Sequence, residues 1–174
     1  MALTSLTYNG SDERTERTPD LVLLKPVDDL PSARRVTGVR AIRVVIADGQ
    51  PVVRAGLRAL LGGQKDITVV GDASHGDEAV SLVQEVHPDV VLIDGDIPRR
   101  DVLEVTREIV DHPERAGIRV MLLATHDADE FLFASLRAGA SGFVTKDTEP
   151  ADLIEAVRVV AGGRRYSHPA PPSV

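Results

Sequence analysis

Cysteine is absent from all 174 residues. That excludes disulfides, thiolate zinc sites and iron–sulfur clusters, and a reducing, cytoplasmic setting is expected. Basic excess is absent too: 20 Lys and Arg stand against 27 Asp and Glu, for a net charge of −7 and a pI near 5.2. A body of that sign does not bind nucleic acid through its own field. No apolar run approaches the roughly 20 residues that span a bilayer. The stretch from Met1 to Gly10 also lacks the basic start and apolar middle of a signal peptide, so a soluble protein without a membrane partner is expected. What is present is a hydrophobic content of 43%, enough for one sizeable core and hence one domain with appendages.

The first appendage is residues 1–40, where six acids balance six bases around one short apolar run, Leu21-Val22-Leu23-Leu24. So little apolar surface does not repay the entropy of ordering, and the segment reads as a flexible N-terminal extension. From Ile42 the pattern becomes strict alternation. Strands are expected at Ile42–Ala47, Ile67–Gly71, Val90–Asp94, Ile118–Leu123 and Ser141–Thr145. Between and after them come amphipathic helices: one opened by Pro51 and ended at Gly62-Gly63, then Gly76–Val86, Val102–Asp111, about Asp127 to Arg137, and Pro150–Ala161. Five strand–helix units imply a doubly wound α/β fold with a parallel sheet between two helical layers. The domain is expected over residues 41–163, with residues 164–174 as the start of a Pro-rich linker.

The third strand carries the strongest signal. Val90-Val91-Leu92-Ile93 is wholly branched aliphatic, the pattern of a central strand buried on both faces, and Asp94 stands at its carboxyl end. In open α/β sheets that edge is where ligands bind. Asp48 after the first strand, Ala124 after the fourth and Lys146 after the fifth fall on the same edge. Two acids and a lysine converging there suit a phosphoryl group or a cation.

These residues, with Ile-Arg-Val-Val-Ile-Ala-Asp from Ile42, Val-Arg-Ala-Gly-Leu-Arg-Ala-Leu-Leu from Val53 and Leu-Arg-Ala-Gly-Ala-Ser-Gly-Phe-Val-Thr-Lys-Asp from Leu136, resemble the receiver domain of bacterial two-component response regulators. The resemblance is to the class that precedes a LuxR/NarL-type helix-turn-helix. It implies a flavodoxin-like sheet in strand order 2-1-3-4-5, with Asp94 at the phospho-acceptor position and Lys146 at the phosphoryl-contacting position. Asp48 would belong to the acidic pocket that organises Mg²⁺, with the carbonyl of Asp96 as a main-chain ligand. Phe143 takes the position of the switch aromatic.

The chain departs from that family at telling places. Gly49 stands where the second acid of the pair is expected, and Ala124 where a hydroxyl normally binds the phosphoryl group. Thr125 comes one residue late and should face the other way. Val102 replaces a glycine, and a β-branched residue resists positive φ. The Asp96 side chain is read in two ways, as a partial substitute carboxylate over the pocket or as a surface aspartate near a turn. Mg²⁺ binding by Asp48, Asp94 and Asp96 is therefore expected to be weak or absent.

Three functions compete. The first is an atypical, non-enzymatic receiver in signal transduction and transcription regulation, phosphorylation-independent or weakly phosphorylated and switched by a ligand or protein partner. A histidine kinase or small molecule would be its input, and DNA would be reached only through an output domain outside this chain. The second is a haloacid-dehalogenase-like, Mg²⁺-dependent phosphatase with Asp94 as nucleophile and Asp96 as acid/base. The third is a ligand-binding module whose pocket, short of one carboxylate and one hydroxyl, accepts an organic metabolite. A homodimer through the first and last or the fourth and last helices is also expected, because the last helix offers Leu153, Ile154, Val157, Val159 and Val160, more apolar positions than one stripe needs.

Overall fold

In the computed structural model, residues 40–125 and 129–167 are described. The expectation for the N-terminal extension lies outside them apart from Arg40, and that for the linker lies outside them beyond Ser167. The apolar runs form strands β1 (Ile42–Ala47), β2 (Ile67–Ala73), β3 (Val90–Asp94), β4 (Arg119–Ala124) and β5 (Gly142–Thr145). The amphipathic stretches form helices α1 (Pro51–Gly62), α2 (Gly76–Val86), α3 (Val102–Val110), α4 (Asp129–Arg137) and α5 (Pro150–Ala161). The sheet is parallel throughout, in the order β2-β1-β3-β4-β5-β6.

The sixth strand, β6 (Tyr166–Ser167), was not expected, since those residues read as linker. It lies parallel to β5 with Gly142 opposite Tyr166, and half-buried Tyr166 packs against the core. Two residues give no period to read, so only the neighbouring strand reveals it.

Local chemistry sets the helix ends. Pro51 and Pro150 occupy first turns, where a missing N–H costs nothing. His75 and Asp101 cap α2 and α3 by accepting backbone N–H groups at His75 Nδ1 and Asp101 Oδ1. Past α4 the chain turns through Gly139 at φ 98°, a conformation that glycine takes without penalty.

Alternation along the strands divides the core into two. Val45, Val91, Ile93, Val120 and Leu122 face the layer of α2 and α3. Val44, Ile46, Val90, Leu92, Met121 and Leu123 face α1 and α5. Every residue of β3 is buried, as its unbroken apolar run requires. Leu92→Ala is expected to cost about 2–5 kcal/mol, measurable as a shifted urea midpoint with unchanged slope.

Two expectations need correction. The apolar surplus assigned to α5 is mostly consumed by the sheet: Leu153, Ile154, Val157 and Val160 are buried, and only Val159 is half-exposed. The large apolar side chains exposed among the described residues are instead Val52 on α1 and Phe133 on α4. Val102 meets no backbone conflict either. It opens α3 with its side chain buried, and the left-handed residue of that loop is Arg99, at φ 72°.

Candidate functional site

The site stands where three parallel strands release their chains at one edge. The amide of Asp48 donates to the Ala73 carbonyl, that of Gly95 to Leu123 and that of Lys146 to Ala124. Each bond carries the ladder one residue beyond its strand, fixing the backbone from which a site side chain departs. The two acids are deeply buried, Asp48 completely and Asp94 to 2% exposure. Between them lies the Lys146 ammonium, 2.9 Å from Asp48 Oδ2 and 3.1 Å from Asp94 Oδ1. The expected convergence of Asp48, Asp94 and Lys146 is thus observed.

Backbone amides also donate to both carboxylates, to the free oxygen of Asp48 and to the Lys146-facing oxygen of Asp94. Asp48 Oδ1 accepts from the Gln50 amide at 2.7 Å, and Asp94 Oδ1 from the Asp96 amide at 3.2 Å. The ammonium contacts are oblique, so Asp48 Oδ2 and Lys146 Nζ lack a well-formed hydrogen bond. At these distances the ammonium and the two carboxylates attract as opposite charges. Burial pushes the Asp94 carboxyl above its ordinary value; the Asp96 amide and Lys146 pull it back only in part, and the Asp48 charge adds to the rise. Burial works to lower Lys146, but its contacts with Asp48 and Asp94 prevail and hold it above the usual lysine range.

Apolar rings stand close against two glycines at this edge, Gly49 and Gly95. A Cβ on Gly49 would stand 2.7 Å and 2.8 Å from Cγ and Cδ of Pro98, so the proline ring rests where an acid's stem would be. A Cβ on Gly95 would meet the Phe131 ring at 3.1 Å. Phe131 in turn packs edge-on against Phe143, with centroids 6.0 Å apart. Phe143 is buried in the same core cluster as Ala124. The Asp96 side chain is exposed and turned to the rim, where its Oδ2 accepts a hydrogen bond from the Thr125 hydroxyl at 3.1 Å.

Sequence reasoning missed three of these partners. Arg54, on α1, donates to the Asp48 carbonyl at 2.6 Å and to Asp72 at 3.3 Å, pinning the turn that carries Gly49. Thr125 was expected to face the other way, and Pro98 was not singled out. A signal existed for Thr125, since it and Asp96 both follow the ends of adjacent strands; none existed for Pro98, whose seat depends on the path of the loop.

A divalent cation fits this donor set poorly. Two carboxylates converge, an ammonium already lies between them, and the Asp96 carboxylate is engaged with Thr125. Among the described residues no group of three His, Asp or Glu side chains gathers there. Magnesium asks for an octahedron of oxygens.

Two buried acids and a lysine thus meet at the carboxyl edge of an open parallel α/β sheet. Residues 44–158 match the model of the response regulator receiver domain, and the chain belongs to that family. It is 39% identical over 122 residues to the transcriptional regulatory protein YxjL of Bacillus subtilis, covering 70% of this chain and 55% of that protein. It is 32% identical to the nitrate/nitrite response regulator protein NarL of Escherichia coli, covering 69% and 55%. The chain thus spans about half the length of these curated relatives. Among solved structures it resembles the signal receiver domain of the response regulator NarL from Mycobacterium tuberculosis, with a TM-score of 0.68, 32% identity and coverage of 72% of this chain and 99% of that one. The strand order through β5 is the flavodoxin-like order expected. The phosphatase alternative finds no support in these relatives, nor in the Asp96 side chain, which is turned to Thr125.

Proposed function

We propose that this chain is a receiver whose pocket takes a phosphoryl group weakly or not at all, and whose state is set by a ligand or protein partner in transcriptional control. The observation that carries the reading is the ring of Pro98 seated on Gly49. The carboxylate that would complete a metal site is missing, and so is the space for it. Ala124, buried and without a hydroxyl, supplies no contact for a phosphoryl oxygen. Phosphoryl transfer rests on positioned cations and donors, and this pocket has lost one of each kind of support. Asp94 remains the acceptor position, with Lys146 as its partner; Asp48, Asp94 and Asp96 would hold Mg²⁺ weakly. A cytoplasmic histidine kinase or a small molecule is the natural input. Any contact with DNA would come through an output domain outside these residues, as the length and the transcriptional names of the relatives suggest.

Incubation with a small acyl-phosphate donor and Mg²⁺, followed by intact-mass measurement, tests this. The expected result is little or no added phosphoryl mass. Near-complete single addition, abolished by Asp94→Asn, would overturn the reading and restore an ordinary phosphorylated receiver.

Self-association belongs to the same reading. Of the helix pairs considered, α5 now offers least, and exposed apolar residues on α1 and α4 favour those helices as the contact.

A further inference from the structure

A second polar cluster lies at the other end of the strands from Asp94. Arg115, in the 3₁₀ turn Pro113–Arg115 between α3 and β4, is buried to 3% exposure. Its Nη1 donates to the Glu108 carbonyl at 2.9 Å, one of the last carbonyls of α3, where helical N–H donors run out. That bond engages one nitrogen of three. Nε and Nη2 have no hydrogen-bond or ion-pair partner among the described residues, although a buried guanidinium ordinarily has one. The fully enclosed side-chain atoms without a partner among those residues are Asp48 Oδ2 and Lys146 Nζ, so the two Arg115 nitrogens open onto accessible space.

Arg158 shows what such a pair of nitrogens takes in this same protein. Its Nε and Nη2 donate to Asp66 Oδ2 and Oδ1 at 2.8 Å and 2.9 Å, two parallel bonds to one carboxylate. Around Arg115 two clefts meet, of about 310 Å³ and 290 Å³. The first is lined by Gln84, His87, His112, Glu114 and Arg115. The second shares His87, Glu114 and Arg115 and is closed by the turns that lead into β3 and β4. His112 Nδ1 accepts the Glu114 amide at 3.3 Å, so in the neutral ring the proton lies on Nε2, a further donor. Exposed Glu114 brings the single carboxylate of the first cleft.

We propose that this cleft at the amino edge of the sheet binds a small monocarboxylate that carries a hydroxyl or ammonium group. The Nε–Nη2 fork of Arg115 takes the carboxylate in plane, as Arg158 takes Asp66. Glu114 accepts from the hydroxyl or ammonium and repels a second carboxylate. Capping α3 accounts for a cation here but not for the fork left over, since a lysine would reach the same carbonyl with one nitrogen. The inference gives the ligand input of the proposed function a seat and a chemical class. It rests on that reading for its regulatory meaning, while binding itself is independent of the Asp94 pocket.

The test is a titration of the isotope-labelled full chain with lactate, alanine, lactamide, malonate and inorganic phosphate, followed by NMR on the arginine Nε–H resonance that Arg115→Lys removes. Lactate and alanine should shift it saturably, and lactamide and malonate should bind at least about tenfold more weakly. Arg115→Lys should melt near the parent yet lose lactate binding, read on the Gln84 and His112 amides. Glu114→Gln, at an exposed position, should bring malonate close to lactate and keeps the test open should Arg115→Lys fail to fold. An Nε–H resonance unmoved by lactate and alanine up to about 10 mM would overturn the site. Lactamide equal to lactate, or phosphate tighter than lactate, would overturn the carboxylate class, and parent-like binding by Arg115→Lys would overturn the fork. Intact mass after phosphodonor treatment separates this inference from the proposed function: a chain that binds no carboxylate and takes no phosphoryl group loses only this site, and one that binds lactate and is fully phosphorylated loses only that reading.

Discussion

Lys146→Met is expected to destabilise the domain by about 3–5 kcal/mol at neutral pH, because removing one member of a buried charge cluster leaves the others uncompensated. Asp48 is completely buried and Asp94 nearly so, and Lys146 is the one cation paired with their carboxylates among the described residues. Without it, two carboxylates face each other in a medium that solvates neither. The direction reverses for Asp94→Asn, which leaves Lys146 its contact with Asp48 and removes a charge that burial disfavours.

The pH dependence follows from the two shifts. The Asp94 carboxyl is raised from its ordinary value of 3.8 in the folded state. The fold therefore binds that proton more tightly than the unfolded chain does. The stability Asp94 contributes is complete below 3.8 and is lost as pH rises through the raised value. Asp94→Asn should thus be more stable than the parent at pH 7, with the advantage fading toward pH 4. Lys146 is raised above 10.5, so its contribution is complete below that value and is lost only as pH rises through the folded value. Denaturant titrations at pH 7 and pH 4 measure both effects. A Lys146→Met protein within about 0.5 kcal/mol of the parent, as an ordinary surface substitution would be, would show that the cluster is not held by charge.

Restoring the Mg²⁺ site should require two changes where the missing acid alone suggests one. Gly49→Asp restores the missing acid, but its Cβ enters the space of the Pro98 ring. Forcing extra atoms into a filled space typically costs about 1–3 kcal/mol, so the single variant should be destabilised and bind Mg²⁺ little better than the parent. Adding Pro98→Ala removes the two ring atoms in conflict. A charge-assisted contact is worth about 1.5–3 kcal/mol, so the pair should gain about tenfold or more in Mg²⁺ affinity by calorimetry. Ala124→Thr on that background returns the hydroxyl, and phosphoryl addition at Asp94 should rise from little or none toward one per chain. If Gly49→Asp alone binds Mg²⁺ as tightly as the double variant and melts with the parent, Pro98 is not the obstacle.

Much of the domain is legible without coordinates because it is written in local periodicity. Val90 to Ile93 reads as a strand buried on both faces, and that reading places Asp94 at a sheet edge. Right-handed connections then bring Asp48 and Lys146 to the same edge. The departures at Gly49 and Ala124 are legible too, as missing chemical groups. A one-dimensional reading can register that a carboxylate or hydroxyl is absent.

It cannot register what fills the space. Pro98 on Gly49, Phe131 on Gly95, Asp96 turned to Thr125 and Arg54 on the Asp48 carbonyl join residues whose separations carry no period. The same limit explains α5: five apolar residues suggested a surplus, yet how much of a helix is covered depends on the width of the sheet beneath it. It explains β6, which exists because β5 offers an edge. The sequence by itself determined the α/β architecture and the site's position, since these follow from side-chain periodicity and chain connectivity, while the missing groups were legible only against the receiver family it resembles. Only the tertiary structure decided which neighbours close the pocket and which helix face stays open, because close packing between distant segments settles each by a few tenths of an ångström.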